Sequence, residues 1–455
     1  MNKNTNLNSN AKTKEAKSVL ILGLAKSGQA CINLCEKLNY QIFIYDDKKG
    51  VSDALLNRED FKEFNLINAV LNKKYLKLVS LVILSPSFIF KKSLLKFCDK
   101  QNIEVVSELE FASRFCKAPI CAITGTNGKT TTATLLGEIF KATEKTTHVL
   151  GNIGTPLAKE VLNIKKQDDL VLEVSSYQLQ YIKTFQPHIA GLLNIETDHL
   201  NYHKTFDNYL QTKLSIFKNM TVNDFAVINL DDEKLFEFSK ELKCQVFYFS
   251  TKSETKGVYA KNGEVYFNDG VLSLCLFSVN ELKLRGEHNL SNVLCASLMA
   301  ILNGVSKELI REQVMNFKGL KHRMQFVCKK SGVEYYNDSK GTNVHSTATA
   351  LKCFEKPLIL ILGGSDKGEN YDPLFKDVDK IKKLFVYGKT ANKIMKSAKK
   401  SGMKNIMKCK TLDVVMSYIK DESIKGDIVL FSPACASFDQ YKDYKERGDH
   451  FISLI

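Results

Sequence analysis

The fold is decided by Pro119-Ile-Cys-Ala-Ile-Thr-Gly-Thr-Asn-Gly-Lys-Thr-Thr131, an apolar run that leads into a glycine-rich turn. The run is typical of a buried strand, and the residues after the turn are typical of a helix. Backbone N–H groups of such a turn surround phosphate oxygens, while Lys129 adds a positive charge and Thr130 a hydroxyl for Mg²⁺. We therefore predict an ATP site, in a shortened loop because Ile123 stands where the general pattern has glycine.

A βαβ pattern precedes this stretch in the chain. Residues 19–22 and 41–45 are apolar strand candidates, and Gly23-Leu-Ala-Lys-Ser-Gly28 forms a turn between the first strand and a helix. Asp46 follows the second strand, where the polar edge of a nucleotide is read in dinucleotide-binding folds. The pattern favours a nucleotide or sugar-nucleotide pocket, and the alternative is a structural turn between strand and helix.

Alternating strands and helices continue to the end of the chain. Strand-like runs lie at residues 170–174, 189–194, 225–228, 333–336, 358–362, 383–387 and 427–431. We predict an α/β fold of three domains: an N-terminal Rossmann-like domain at 17–107, a central P-loop ATPase-like parallel-sheet domain at 108–319, and a C-terminal Rossmann-like α/β domain at 320–455. Residues 1–16 are polar and are predicted to be a disordered tail.

Composition excludes several classes of protein. The 455 residues are 44% hydrophobic and 25% charged, which is ordinary for a globular chain, and no apolar run reaches the length of a membrane span. The twelve scattered cysteines favour reduced thiols, and with no export signal we predict a cytoplasmic protein. The net charge of +15 comes from 59 Lys and only 6 Arg. Because nucleic-acid readout favours Arg, we predict no nucleic-acid partner. Because no apolar run is long enough to span a bilayer, we also predict no membrane partner.

Polar residues follow several of the predicted strands. Glu173 and Asp198-His199 end two strands of the central domain, and the carboxyl ends of parallel strands are where ligands gather. Glu173 is a candidate Mg²⁺ ligand because Mg²⁺ prefers oxygen. In the last third, polar loops occupy 337–343, 363–367 and 432–438. They suggest a second half-site, although ordinary turns use the same residue types.

Together these stretches resemble the Mur ligase family, the ATP-dependent amide-forming enzymes of peptidoglycan precursor synthesis. The motifs similar to the shared ATP and metal motifs are Gly125 to Thr131, Glu173 to Gln178, Asp198-His199, His288-Asn-Leu-Ser-Asn292, His322-Arg323 and Asp338-Ser-Lys340. Other stretches resemble the members that add D-glutamate to UDP-N-acetylmuramoyl-L-alanine. They are Gly151-Asn-Ile-Gly154, residues 337–343, and Ser432-Pro-Ala-Cys-Ala-Ser-Phe-Asp-Gln440 before Arg447-Gly448.

The resemblance implies a role for each matching residue. The catalytic residues would be Lys129, His199 and Lys213, and the ATP-binding residues would be Gly125, Thr126, Asn127, Gly128, Lys129, Thr130, Thr131, Asn289, Asn292, Arg323, Asp338 and Lys340. Two Mg²⁺ ions would be held by Thr130, Glu173, His199 and Lys213, the last as a carbamate. The UDP-sugar would contact Ser27, Asp46, Asp47 and Asn152, and D-glutamate would contact Thr342, Lys367, Ser432 and Phe438.

The implied reaction passes through an acyl phosphate, which D-glutamate attacks to give an amide, ADP and phosphate. His199 is the candidate base for the amine, and a monomer is expected. One alternative is another amide ligase of the superfamily, of the folylpolyglutamate type, and a second is a Lys-rich nucleic-acid-binding ATPase. The sequence departs from the family pattern at Ser87, Asn201, Tyr202 and Lys321.

Overall fold

The structure, a computed structural model, describes residues 17–47, 65–67, 70–86, 88–284, 286–366 and 368–455. The chain divides into two compact units. The first runs to Leu276 and takes in Leu294–Ile310, and the second comprises Phe277–Val293 and Arg311–Ile455. The predicted tail at 1–16 lies outside the described residues.

The first sheet contains five parallel strands. They are β1 (Ser18–Leu22), β2 (Gln41–Tyr45), β3 (Asn65–Leu66), β4 (Leu81–Leu84) and β5 (Glu104–Ser107). The helices of this part are α1 (Lys26–Lys37), α2 (Lys73–Leu76), α3 (Lys92–Lys100) and α4 (Glu108–Ser113). The strand order is β3-β2-β1-β4-β5, so the chain builds the sheet from β1 to β3 in one direction and then crosses to the other side of β1 for β4 and β5. Ligands of such sheets bind at the carboxyl ends of the strands where this reversal occurs.

The central sheet has nine strands. They are β6 (Ile120–Thr124), β7 (Thr147–Gly151), β8 (Asp169–Glu173), β9 (Ile189–Leu192), β10 (Phe225–Asn229), β11 (Gln245–Ser250), β12 (Gly257–Lys261), β13 (Glu264–Asn268) and β14 (Ser273–Ser278). Its helices are α5 (Lys129–Lys141), α6 (Leu157–Glu160), α7 (Ser176–Leu179), α8 (Leu200–His203), α9 (Phe206–Leu214) and α10 (Glu233–Ser239). The order is β14-β13-β12-β11-β10-β9-β6-β8-β7, and all pairs from β7 to β12 are parallel.

The last sheet follows two helices, α11 (Glu287–Leu302) and α12 (Lys307–Asn316). Its strands are β15 (Gln325–Lys330), β16 (Val333–Asn337), β17 (Leu358–Gly363), β18 (Ile381–Tyr387), β19 (Ile406–Lys408) and β20 (Ile428–Phe431). Its helices are α13 (Val344–Lys352), α14 (Ala391–Lys400), α15 (Leu412–Glu422) and α16 (Tyr444–Ser453). The order is β15-β16-β20-β17-β18-β19, with β15 antiparallel to β16 and the other pairs parallel.

The parallel strands of each sheet are apolar because helices cover them. Every residue of β6, β8 and β17 is buried, which a sheet covered on both faces requires. These features confirm the predicted α/β fold with three sheets, while the domain boundaries stay a prediction. In the part of the chain that the structure describes, no helix combines the length and apolar composition needed to cross a bilayer.

Strand order also positions the ligand loops. β6 lies between β8 and β9, and all three strands run in the same direction. The loops that follow them therefore leave from one edge of the sheet. They contain the glycine-rich turn, the residues after Glu173 and the Asp198-His199 pair.

Candidate active site

The glycine-rich loop joins β6 to α5. Gly125 has φ +155° and Gly128 has φ +84°, and a Cβ on Gly125 would come 3.0 Å from Cβ of Leu193. Gly128 is the residue before the first turn of α5, so the free N–H groups of that turn point out of the loop. The Lys129 ammonium donates to the carbonyl oxygens of Gly125 and Thr126, each at 2.8 Å. This geometry is that of a phosphate-binding turn.

The loop after β9 holds the glycine-rich loop in place. Asn194 Oδ1 accepts the Asn127 N–H at 2.9 Å, and Glu196 Oε2 accepts the Asn127 side-chain amide at 2.9 Å. The Thr126 hydroxyl lies 3.0 Å from the hydroxyl of Tyr209. Asn194, Glu196 and Tyr209 were not among the predicted site residues. The signal for Asn194 and Glu196 is only that they follow β9, a strand next to β6, and Tyr209, which lies on α9, has no such signal.

Lys213 lies beneath the same loop. It is 1% exposed, and its Nζ donates to the Gly125 carbonyl at 2.8 Å and to Thr124 Oγ1 at 3.2 Å. Burial holds the pKa of Lys213 well below the ordinary lysine value, and the charge of Lys129 lowers it further. Both effects favour the neutral amine over the ammonium form.

Glu173 ends β8 and points its carboxylate into the site. Its Oε1 accepts the side-chain amide of Asn152 at 2.7 Å, and its Oε2 is buried with no hydrogen-bond partner among the described residues. The Asn152 backbone N–H also donates to the Glu173 carbonyl at 2.8 Å. A Cβ on Gly151, which has φ +104°, would lie 2.4 Å from that carbonyl oxygen. Two hydrogen bonds therefore join Asn152, which is predicted to contact the UDP-sugar, to Glu173, which is predicted to bind the metal.

His199 lies at the exposed rim of the site. Its ring is 43% exposed, with Nε2 3.4 Å from Asp198 Oδ2 and Nδ1 3.3 Å from the Tyr177 hydroxyl. Tyr202, one of the departures from the family pattern, packs edge-on against Tyr177 with ring centroids 4.6 Å apart. The rings of Tyr177 and Tyr202 therefore support the imidazole from one side.

The donors fit Mg²⁺ only in part. Among the described residues, no three His, Cys, Asp or Glu side chains come together as a metal site. Mg²⁺ commonly binds through one or two carboxylates and completes its octahedron with phosphate and water oxygens. The unpartnered Glu173 Oε2 beside the glycine-rich loop matches that donor set.

The loop after β1 forms the corresponding site of the first sheet. Asp46 Oδ2 accepts the backbone N–H of Leu24 at 2.7 Å, so this carboxylate orders the Gly23–Gly28 turn. A Cβ on Gly28 would lie 1.9 Å from the Gly23 carbonyl oxygen, which excludes any larger residue. Ser27 is half-buried in the turn, and exposed Asp47 accepts the Tyr45 hydroxyl at 2.8 Å.

Within the second unit, Asp338 and Ser432 form a buried pair. The Ser432 hydroxyl donates to Asp338 Oδ2 at 2.6 Å and lies 2.9 Å from Thr347 Oγ1, while Asp338 Oδ1 accepts the Met324 N–H at 3.1 Å. Burial raises the pKa of Asp338 to about 6, although the Ser432 hydrogen bond and the Arg323 charge oppose the rise. Ser432 is predicted to bind D-glutamate, but its hydroxyl is occupied inside the protein.

Arg447 organises the loops around this pair. The guanidinium is fully buried and donates to Ser339 Oγ at 3.0 Å, the Ser339 carbonyl at 2.7 Å and the Cys435 carbonyl at 3.0 Å. Nearby, the Lys340 ammonium lies 5.1 Å from the centroid of the Tyr444 ring. Arg447 therefore ties the loop after β16 to the loop after β20, a role that the sequence did not indicate.

The remaining predicted residues have different surroundings. Thr342 is half-buried after β16, and the Phe438 side chain is 72% exposed. Asn289 and Asn292 are buried on α11, and Arg323 is half-buried with Nε unpaired among the described residues. Lys367 and Ser87 lie outside the described residues.

The chain matches two family models and many curated proteins. Residues 123–300 match the Mur ligase middle domain, and residues 322–435 match the Mur ligase, glutamate ligase domain. A UDP-N-acetylmuramoylalanine--D-glutamate ligase of Thermoanaerobacter sp. (strain X514) is 40% identical over 97% of this chain and 98% of its own. A protein of the same name from Alkaliphilus metalliredigens (strain QYMF) is 39% identical over 96% and 98%.

Solved structures share the fold at low sequence identity. A UDP-N-acetylmuramate-alanine ligase of Thermotoga maritima has a TM-score of 0.58 at 17% identity, over 96% of this chain and 98% of that chain. The MurF ligase of Thermotoga maritima in complex with ADP has a TM-score of 0.57 at 17% identity, over 97% and 95%. With relatives near 40% identity over almost the whole length, the chain belongs to the Mur ligase family.

Proposed function

We propose that this chain joins D-glutamate to UDP-N-acetylmuramoyl-L-alanine, with cleavage of ATP to ADP and phosphate, in peptidoglycan precursor synthesis. The observation that carries the proposal is the likeness over 97% of the chain to relatives that bear this activity in their names. The proposal includes a cytoplasmic, monomeric enzyme and the three predicted domain ranges.

The chemistry explains why ATP is required. A carboxylate is a poor acyl donor, so its oxygen first takes the γ-phosphoryl group of ATP and ADP is released. The amine nitrogen of D-glutamate then bonds to the acyl carbon, and the phosphate leaves with its electron pair as the amide forms. Two anions approach each other in the first step, and positive charge must offset their repulsion.

The glycine-rich loop supports the ATP end of this reaction. Residues from Gly125 to Thr131 would surround the phosphates with backbone N–H groups, and Lys129 would leave its carbonyl partners to contact a phosphate. In the proposal, Asn289, Asn292, Arg323, Asp338 and Lys340 also bind ATP.

Glu173, Thr130, His199 and Lys213 would hold Mg²⁺. The bound cation supplies positive charge that offsets the phosphate charge during transfer. The buried, unpartnered Glu173 Oε2 supports this role for Glu173, and the 43% exposure of the His199 side chain at the rim allows a ligand to reach its ring. His199 is also the proposed base that takes a proton from the D-glutamate amine.

A carbamate on Lys213 is supported by the state of its amine. Only a neutral amine adds CO₂, and burial keeps the Lys213 pKa well below its usual value. Addition forms an N–C bond and releases one proton, so the side chain becomes an anion with two oxygens. Those oxygens are the ligand type that Mg²⁺ prefers.

The substrate subsites follow the loops already described. Ser27, Asp46, Asp47 and Asn152 would contact the UDP-sugar, and the Asn152 hydrogen bond to Glu173 would link this substrate to the metal site. Thr342, Lys367, Ser432 and Phe438 would contact D-glutamate. Since the Ser432 hydroxyl binds Asp338, a direct contact would have to use other atoms of its loop.

Phosphate release with defined substrates tests the proposal. With UDP-N-acetylmuramoyl-L-alanine and ATP present, we expect release with D-glutamate and little with L-glutamate, L-lysine or meso-diaminopimelate. Equal turnover with L-glutamate would contradict the assigned specificity. Turnover of L-glutamate with a folate acceptor would support the folylpolyglutamate alternative, and ATPase activity that requires DNA would support the nucleic-acid alternative.

A further inference from the structure

The net charge of the chain is concentrated in one segment of the second unit. Residues 381–410 contain ten Lys and neither Asp nor Glu. At the average lysine content of the chain, 59 in 455 residues, thirty residues would contain about four. This segment alone therefore carries a charge of +10, against +15 for the whole protein.

The helix α14 gathers four of these lysines on one face. At 100° per residue, Lys393, Lys396, Lys399 and Lys400 fall within an arc of about 120°. All four side chains are exposed. The opposite face, with Ala391, Ile394 and Ala398, is buried against the sheet. The lysines therefore form a continuous charged face on the side of α14 that points away from the sheet.

The charged surface continues onto the edge of the sheet. Lys408 of β19 donates to Asn392 of α14 at 2.8 Å, which brings the strand lysine beside the helix lysines. Lys404 is exposed in the turn between the two elements. Because β19 is the last strand of the sheet, the charge of Lys408 also disfavours pairing of this edge with another strand. Protection of the edge does not explain the lysines on the helix. We call Lys393, Lys396, Lys399, Lys400, Lys404 and Lys408 the lysine face.

Neighbouring carboxylates neutralise only part of the lysine face. Lys393 pairs with Asp366 at 3.2 Å, and Lys400 pairs with Asp372 at 3.0 Å. The other four members, Lys396, Lys399, Lys404 and Lys408, form no ion pair with any residue that the structure describes. Four like charges held together without counterions favour contact with a polyanion.

The composition of the lysine face identifies the kind of anion. Segment 381–410 has no Arg, and both of its aromatic residues, Phe385 and Tyr387, are buried. It therefore lacks the forked donors used for base readout and the exposed rings used for stacking on single strands. It also exposes no large apolar side chain, which a protein interface places at its centre. A flat array of lysines without an apolar centre matches a layer of acidic headgroups.

We propose that the lysine face binds the surface of an anionic phospholipid bilayer. The contact is peripheral and electrostatic, so it requires no spanning segment. The absence of such a segment, on which the prediction of no membrane partner rests, therefore does not exclude it. Each lysine near an acidic bilayer strengthens binding about five-fold, so the four lysines without ion pairs contribute roughly several hundred-fold.

Vesicle flotation of the full-length protein tests the proposal. We expect binding to vesicles of phosphatidylglycerol and phosphatidylcholine in equal parts, none to phosphatidylcholine alone, and a steep fall between about 50 and about 300 mM NaCl. The variant K396Q/K399Q/K404Q/K408Q should bind at least about 100-fold more weakly. A control variant, K117Q/K165Q/K166Q/K218Q, loses the same charge from exposed positions of the first unit and should bind as the wild type does.

Three results would overturn the proposal. An equal loss in both variants would show that net charge alone drives binding. Binding of duplex DNA that depends on the lysine face, without vesicle binding, would identify a nucleic acid as the partner. A fall in vesicle-free phosphate release that matches the loss of vesicle binding would show that the lysine face serves the substrates.

Discussion

Replacing Ser432 with alanine distinguishes between two roles of this residue, a hydrogen bond to Asp338 and a direct contact with D-glutamate. The Ser432 hydroxyl donates to the buried carboxylate of Asp338 at 2.6 Å, and a hydrogen bond to a charged group contributes about 1.5 to 3 kcal/mol. The Ser432→Ala variant loses this stabilisation only when Asp338 is ionised. The free energy of protonating Asp338 therefore becomes more favourable by the same amount. At 1.36 kcal/mol per pH unit, the midpoint of Asp338 titration should move upward by about one to two pH units.

The wild type provides the reference for this shift. Burial raises the pKa of Asp338 to about 6, so at pH 7 most molecules carry the ionised form. If ionised Asp338 supports ATP binding, activity should fall below that midpoint. In Ser432→Ala the acid limb of the pH profile should move upward, with a loss of about two- to ten-fold at pH 7 and recovery near pH 9.

The assay is phosphate release across the pH range with ATP below its KM, so that ATP binding limits the rate, and with D-glutamate varied to give its KM. Thr347→Val is the matched control, because it removes the hydroxyl that contacts both the Ser432 carbonyl at 3.1 Å and the Ser432 hydroxyl at 2.9 Å but leaves the bond from Ser432 to Asp338. Its pH profile should match that of the wild type. An unchanged pH profile in Ser432→Ala, together with a higher KM for D-glutamate, would refute the reasoning and favour direct contact with the amino acid.

Three other variants probe the first unit. Lys129→Ala should abolish phosphate release and leave the melting temperature close to that of the wild type, because the side chain is half-buried at the start of α5 and is not part of a hydrophobic core; normal turnover would remove the ATP assignment. Lys213→Ala should lose most activity, and short carboxylic acids should restore part of it by occupying the vacated space; full activity without added acid would exclude the carbamate. Glu110→Gln should lower the free energy of unfolding by about 3 kcal/mol at pH 7, because the buried carboxylate accepts the backbone N–H groups of Lys183, Thr184 and Phe185. Burial opposes ionisation of Glu110, but those hydrogen bonds outweigh it and lower its pKa, so this stabilisation is present above the unfolded pKa and disappears as pH falls through the folded one. Urea unfolding of both proteins at pH 7 and at acid pH measures it, and an equal difference at both pH values would contradict the account.

The strand, glycine-rich loop and helix that begin the central sheet could be predicted because the apolar run, the glycines and the residues after them each favour the same structure. The apolar run became β6 (Ile120–Thr124) and the helix begins at Lys129, directly after the glycine turn. The strands β12 to β14 were not predicted. Their residues are only partly buried, as in Ser273–Ser278, where the first three residues are exposed and the next two are buried. They therefore differ from the fully buried strands that a continuous apolar run indicates.

Side-chain environments in the site could be predicted less well than its location. Residue type and strand ends placed Glu173 correctly at the edge of the sheet, because that edge follows from parallel strands alone. Ser432 had the expected residue type and loop, but its burial against Asp338 depends on packing between β20 and the loop after β16. Local sequence contains no measure of such packing.

Lys213 shows why a charge state is a property of the fold. From the sequence alone it is one lysine of 59 on an amphipathic helix, where an exposed ammonium is the ordinary case. In the structure it shares the Gly125 carbonyl with Lys129, and no carboxylate accepts a hydrogen bond from it among the described residues. Burying an ammonium without an opposite charge costs several kcal/mol, and a second ammonium beside it adds repulsion. Both costs lower the pKa of Lys213 and so favour the neutral amine, which is the form that reacts with CO₂.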